Sequence, residues 1–202
     1  MNKGQVFIIS GPSGSGKDTL LVELFKKRPE ICFSISSITR DMREGEAEGV
    51  KYNFISKEQF EKMIAGDELL EYNKYVGNYY GTPKKPILAA RDSGKDIIIE
   101  VDVNGAAQIR QKLPEAVSIF IMPPSLSELE SRLSARGTES REAMEKRLKS
   151  ALGEIKRATE YDYIVVNRDI ECAVDDIISV INSCRLQLKK QKHIINEVLE
   201  KC

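Results

Sequence analysis

The sequence predicts an α/β fold: a parallel sheet core flanked by helices, with a small mixed α/β lobe inserted into it and a helical lid. Three features predict it. A β-rich run at residues 5–9 meets a glycine loop and then a helical pattern over Lys17–Lys27. Short apolar runs at residues 96–101, Val117–Met122 and Tyr163–Val166 alternate with helical stretches, the texture of parallel strands covered on both faces. Two segments of different texture interrupt that alternation.

Taken in order, strand, loop and helix fill residues 1–33 of the core. Residues 34–83 hold strand-like pieces at 52–55 and 69–76, one helix over Lys57–Ala65 and several glycine turns, which together read as the inserted lobe. The core resumes over 84–133. Residues 134–147 are polar, carry Arg136-Gly137 and read as a mobile flap, the lid, joined to helices. The core closes over 148–185, where Val174, Ile177, Ile178 and Ile181 keep helical spacing. The tail, 186–202, stays helix-compatible and turns basic at Lys189, Lys190 and Lys192. No repeat or linker divides the chain, so it reads as one domain.

Thirty-one basic and thirty-one acidic side chains cancel, so no global field argues for nucleic acid or an anionic membrane as partner. Cys32, Cys172, Cys184 and Cys202 lack metal-ligand spacing and read as free thiols in a reducing compartment. The first apolar run is too short for a signal segment or a membrane span, and the expected location is the cytoplasm.

Gly11-Pro12-Ser13-Gly14-Ser15-Gly16-Lys17 fits G-x-x-x-x-G-K between a strand and a helix. The glycines let successive backbone N–H groups turn inward around a phosphate, and the helix N-terminus adds its positive end. Lys17 reaches β- and γ-phosphates. In this context the motif predicts a P-loop NTPase-type core that binds ATP. One position departs from it: Asp18 stands where a Ser or Thr hydroxyl usually meets Mg²⁺. A carboxylate is also a hard ligand for Mg²⁺, directly or through a water, but it places a negative charge beside the triphosphate. Two unit charges about 4 Å apart at an effective dielectric near 20 interact by roughly 4 kcal/mol before screening. Thr19 is the alternative hydroxyl, turned about 100° away on the helix.

The inserted lobe holds a second anion site. Arg40 and Arg43, three apart, each present a fork that fits a phosphate, and Tyr52 and Tyr80 offer hydroxyls. Glu71 is an isolated carboxylate in the run Leu69-Leu70-Glu71-Tyr72. Its bland reading is the wet face of a half-buried strand. Its sharper one is recognition of guanine, whose adjacent N1–H and N2–H₂ donors suit one carboxylate.

Ser34-Ile-Ser-Ser-Ile-Thr-Arg40-Asp-Met-Arg43-Glu-Gly-Glu46, Tyr52-Asn-Phe, Leu70-Glu71, Gly77-Asn-Tyr-Tyr-Gly81-Thr82 and Glu100-Val-Asp102-Val-Asn-Gly105 resemble the successive signatures of guanylate kinases. The likeness continues through Pro123-Pro-Ser125, Arg132-Leu-Ser-Ala-Arg136-Gly, Lys146-Arg147-Leu and Val166-Asn167, over nearly the whole chain. It implies transfer of the ATP γ-phosphoryl group to GMP or dGMP with Mg²⁺. It implies that Ser36, Glu71, Thr82 and Asp102 read or support guanine with Glu100 beside them. Arg40, Arg43, Tyr52 and Tyr80 would hold the GMP phosphate, Arg132, Arg136 and Arg147 would close over the transferring group, and Asn167 would lie near adenine. Arg168 and the pair Asp41-Met42 differ from the family's usual residues, at positions outside these expected contacts.

Two other readings compete. Asp after the loop lysine also occurs in kinases of ribose bisphosphates, which would have no use for the guanine set. Guanylate-kinase-like modules that only bind proteins tend to lose the phosphate loop, which this chain keeps.

Overall fold

The computed structural model describes residues 3–134 and 141–200. In chain order the elements are β1 (Val6–Ser10), α1 (Lys17–Lys27), β2 (Cys32–Phe33), β3 (Ser36–Ile38), β4 (Tyr52–Phe54), α2 (Lys57–Ala65), β5 (Leu69–Tyr75), β6 (Asn78–Pro83) and α3 (Lys84–Asp92). Then come β7 (Ile97–Glu100), α4 (Val103–Lys112), β8 (Val117–Met122), α5 (Leu126–Ser134), α6 (Arg141–Lys156), a short 3₁₀ turn (Arg157–Glu160), β9 (Tyr163–Val166), α7 (Ile170–Arg185) and α8 (Leu188–Leu199).

Five parallel strands in the order β2-β7-β1-β8-β9 form the main sheet. Successive residues of a strand face opposite sides, and here both sides are apolar. Phe7 and Ile9 pack with Leu20, Leu21 and Leu24 of α1 and with Val174, Ile177 and Ile181 of α7. Val6 and Ile8 pack the other way, with Ile87 of α3 and Ala106 and Ile109 of α4. All five residues of β1 are buried, and the four that face the two apolar layers, Val6–Ile9, are all apolar. Burying each such Leu or Ile is worth about 1.5–3 kcal/mol.

The second sheet, β4-β3-β6-β5, is mixed: β3 runs parallel to β4, and β6 runs antiparallel to both its neighbours. Its edge strand β5 docks on α4, where the Gln108 amide bonds both the N–H and the C=O of Tyr72, closing an exposed edge. The sequence leads one to expect strands at 52–55 and 69–76 here, and it conceals β3 and β6, as it does β2 of the main sheet. Strand β6 carries Gly81 in its middle because a Cβ there would lie 2.8 Å from the Phe60 ring and 2.9 Å from the Glu71 carbonyl oxygen.

Of the segment expected to be a polar flap, residues 141–147 form the N-terminal part of α6, and 135–140 lie outside the described residues. Arg136 lies outside the described residues. Among the described residues no helix is long and apolar enough to cross a membrane.

Candidate active site

The phosphate loop follows β1 at the carboxyl end of the main sheet, where parallel α/β folds place their ligands. Gly14 and Gly16 have φ near +86° and +87°, a region closed to most side chains. At Gly16 a Cβ would also stand 2.4 Å from Nδ2 of Asn167. That amide donates to the Ser15 carbonyl over 2.7 Å, so the C-terminal end of β9 is tied to the loop. Lys17 lies inside the loop, its Nζ donating to the Gly11 and Pro12 carbonyls at 2.6 and 3.3 Å. Burial lowers its pKa, against the opposing charges of Glu100, Asp18 and Glu154.

Two arginines approach the loop from outside. Arg132 of α5 is held by Glu128 at 2.9 Å and points its Nη atoms at the Ser15 and Asn167 carbonyls. Arg147 of α6 donates to the Ser13 hydroxyl at 3.0 Å. Helices α5 and α6 thus bring onto one loop two cations that are fifteen residues apart in sequence.

Asp18 faces the inserted lobe. Its Oδ1 lies 2.5 Å from Nζ of Lys51, which also reaches Glu100 at 3.2 Å. Thr19 points elsewhere, lining a 740 Å³ cavity with Gly16, Glu23, Arg132, Asn167 and Arg168. Arg168, outside the expected contacts, is thus a wall of the space beside Asn167. Among the described residues no cluster of three or more side chains could cage a metal. Asp18 and Glu100 nonetheless converge on a single cation, and one or two carboxylates plus phosphate oxygens are the usual donor set for Mg²⁺.

The cleft between loop and lobe, 350 Å³, is lined by Gly11, Ser13, Lys17, Lys51, Glu100 and Glu154 among others. It shares Ser36, Tyr52, Glu100 and Asp102 with a smaller cavity of 270 Å³ under the second sheet. That cavity adds Glu71, Asn73, Tyr75 and Tyr80.

Glu71 is only 7% exposed, which excludes the wet-face reading. Thr82, fully buried, donates to its Oε1 over 2.6 Å. Burial raises the Glu71 pKa to about 7; the negative charge of Asp102 adds to this, and Thr82 and Lys112 oppose it. Asp102 caps α4, its Oδ1 accepting from the Asn104 and Gly105 N–H groups at 2.9 and 2.8 Å. Gly105 is small for a reason: a Cβ there would meet Oε2 of Glu71 at 3.0 Å.

Arg40 stacks over the rings of Tyr52 and Phe54 and forks onto Glu46 with two bonds of 2.6 Å. The ion pair with Arg40 holds the Glu46 carboxyl down at about 2. Glu46 also accepts from the Arg43 backbone N–H at 2.8 Å. The Arg43 side chain is exposed, and neither guanidinium lines either cavity. A turn at Gly45, with φ +82°, folds Glu46 back onto Arg40 and leaves Arg43 on the rim.

Glu100 lines both cavities. It ends β7 opposite Ile9 of β1, and its carboxylate serves Lys51 and the phosphate cleft as much as the small cavity. Lys51, Glu46 and Glu154 were not legible as site residues; only their places in the fold reveal them.

A guanylate kinase family model matches residues 3–184. The guanylate kinase of Carboxydothermus hydrogenoformans is 48% identical over 190 residues, covering 94% of this chain and 93% of that protein. The enzyme of Neisseria gonorrhoeae is 48% identical over 198 residues, covering 98% and 97%. The crystal structure of guanylate kinase from Anaplasma phagocytophilum superposes with a TM-score of 0.74 at 32% identity, covering 94% of this chain and 90% of that one. The phosphate loop, the carboxylate-floored cavity beside it and these likenesses agree, and the chain belongs to the guanylate kinase family.

Proposed function

We propose that this protein transfers the γ-phosphoryl group of ATP to GMP, and to dGMP, releasing ADP and GDP or dGDP. The observation that carries the reading is Glu71: a buried carboxylate, held by Thr82, flooring a cavity that opens into the phosphate-loop cleft. A carboxylate in that position accepts N1–H and N2–H₂ of guanine, whereas adenine leaves it unpaired. Sites built to hydrogen-bond reject such analogues by about 10⁴–10⁵.

In this reading an oxygen of the GMP phosphate attacks the γ-phosphorus, and the bond to the bridging oxygen breaks with its electrons leaving on ADP. The attacking monoester, with second pKa about 6, is already largely dianionic at neutral pH, so no general base is needed. Charge neutralisation and alignment do the rest. Arg40 and Arg43, with Tyr52 and Tyr80, hold the acceptor phosphate; Ser36 and Asp102 flank the base. Gly11 to Lys17 cradle the donor phosphates, while Arg132 and Arg147, with Arg136 in the expected set, neutralise the transferring group. Asn167 and the 740 Å³ cavity beside it receive the adenosine. Asp18 and Glu100 would hold Mg²⁺, which when bound with ATP draws charge from the β- and γ-oxygens. Residues 34–83 and 134–147 act as lobe and lid that exclude water on closure.

The test is ADP release with ATP, Mg²⁺ and, separately, GMP, dGMP, AMP, UMP and ribose 1,5-bisphosphate. Fast turnover with GMP, slower with dGMP and almost none with AMP is expected; turnover with the sugar bisphosphate alone would replace this reading.

A further inference from the structure

We propose that Lys51, from the acceptor lobe, is a positioning residue of the donor-phosphate site, neutralising the carboxylate that stands beside the loop lysine. Asp18 and Lys51 are thirty-three residues apart, and the fold joins them at 2.5 Å across the cleft. The same ammonium holds Glu100 at 3.2 Å. Its place is fixed by the backbone: the Lys51 carbonyl accepts from Ser36 N–H where β3 and β4 meet.

As a plain surface ion pair this contact would matter little. The Asp18 side chain is 68% exposed and that of Lys51 43%, and pairs so placed add little to stability. The surroundings give it another use. Three carboxylates, Asp18, Glu100 and Glu154, act on Lys17 at the mouth of the loop, and Lys51 is the second ammonium among them. Lys51 thus offsets part of the negative charge that incoming phosphates meet beside the loop lysine. The Lys51 ammonium donates to Asp18 and also reaches Glu100, so one cation faces both carboxylates. A phosphate loop carrying Asp in place of a hydroxyl thus remains an anion site because the neighbouring lobe supplies the compensating charge. The donor site is then complete only with the lobe's help.

This inference rests on the donor-site reading above, and a binding cycle separates the two. The affinity of a fluorescent ADP is measured in EDTA, which removes the metal, for the wild type, Lys51→Met, Asp18→Ser, the double variant and Lys51→Arg. Melting curves check that each folds. Lys51→Met is expected to weaken ADP about tenfold, and Lys51→Arg to retain affinity within about threefold, since repulsion from an uncompensated charge is of that order. In the Asp18→Ser background the same lysine substitution is expected to cost no more than about twofold. Equal losses in both backgrounds, or none in either, would overturn the role of Lys51. A wild type that fails to bind ADP would remove the donor-site reading and this inference together.

Discussion

The Thr82 hydroxyl donates to Oε1 of Glu71 over 2.6 Å, and both residues are buried where β5 and β6 pair. The fold thereby keeps a carboxylate out of water with one neutral donor and leaves its second oxygen for something else. Such a group is stored in the fold at a cost, and the cost is measurable.

The sign follows from burial. The Glu71 pKa is about 7 in the folded protein, above the ordinary 4.5, so folding favours the protonated form. Its contribution to stability is fully present below about pH 4.5 and is lost as pH rises through about 7. Glu71→Gln should therefore stabilise the protein at pH 8 by about 2–3 kcal/mol and leave it nearly unchanged at pH 4.5. Urea unfolding at both pH values checks this. The same variant should lower kcat/KM for GMP at least about 10³-fold, because the amide presents a donor or a weaker acceptor to guanine.

The pH dependence of acceptor use follows. Guanine needs the carboxylate, so kcat/KM for GMP should fall about tenfold per pH unit below about 7, while the affinity for ADP stays flat. In Glu71→Gln that limb should vanish above about pH 6, below which protonation of the GMP phosphate slows both proteins alike. Steady-state kinetics between pH 5.5 and 8.5 are sufficient.

Much of the core was legible. Lys17–Lys27, Val117–Met122 and Tyr163–Val166 are element bounds that the residue pattern yields unaided, because long amphipathic periods and fully apolar runs have few other meanings. The lobe was harder. Strand β3 is three residues long, as β2 of the main sheet is two, too short to show a period. Strand β6 contains Gly81 and ends at Pro83, and both read as breakers until Phe60 and β5 are seen pressing on it. The phosphate loop was readable because its chemistry is local. Lys51 and Glu46 were not, since a lysine or glutamate in a polar stretch has meaning only through partners the fold supplies.

Glu46 is a case in point. It pre-sets the Arg40 fork with two 2.6 Å bonds. Glu46→Ala should free the guanidinium and raise KM for GMP about tenfold with a much smaller change in kcat. A drop in kcat at unchanged KM would mean instead that Glu46 acts on the transfer step.

Gly16→Ala places a Cβ 2.4 Å from the Asn167 amide at a φ of +87°. It should cost about 2–4 kcal/mol of stability and raise the Kd for ADP more than about tenfold, by breaking the tie between loop and β9. Calorimetry and ADP titration read the two effects separately.

The turn between β5 and β6 carries a removable strain. Val76 sits at φ +46° ahead of Gly77 at +77°, in a two-residue hairpin that favours Asn-Gly, and it is exposed. Val76→Asn should stabilise by about 1 kcal/mol, raising Tm by about 2–4 °C without altering turnover.

The decisive measurement is the identity of the products. Phosphorus NMR of protein incubated with ATP, Mg²⁺ and GMP should show GDP and ADP growing in equal amounts with no inorganic phosphate. A parallel sample with AMP should stay unchanged. Inorganic phosphate with ADP and no GDP would mean that water, not the guanine nucleotide, receives the phosphoryl group, and the role given to Glu71 would fall with it.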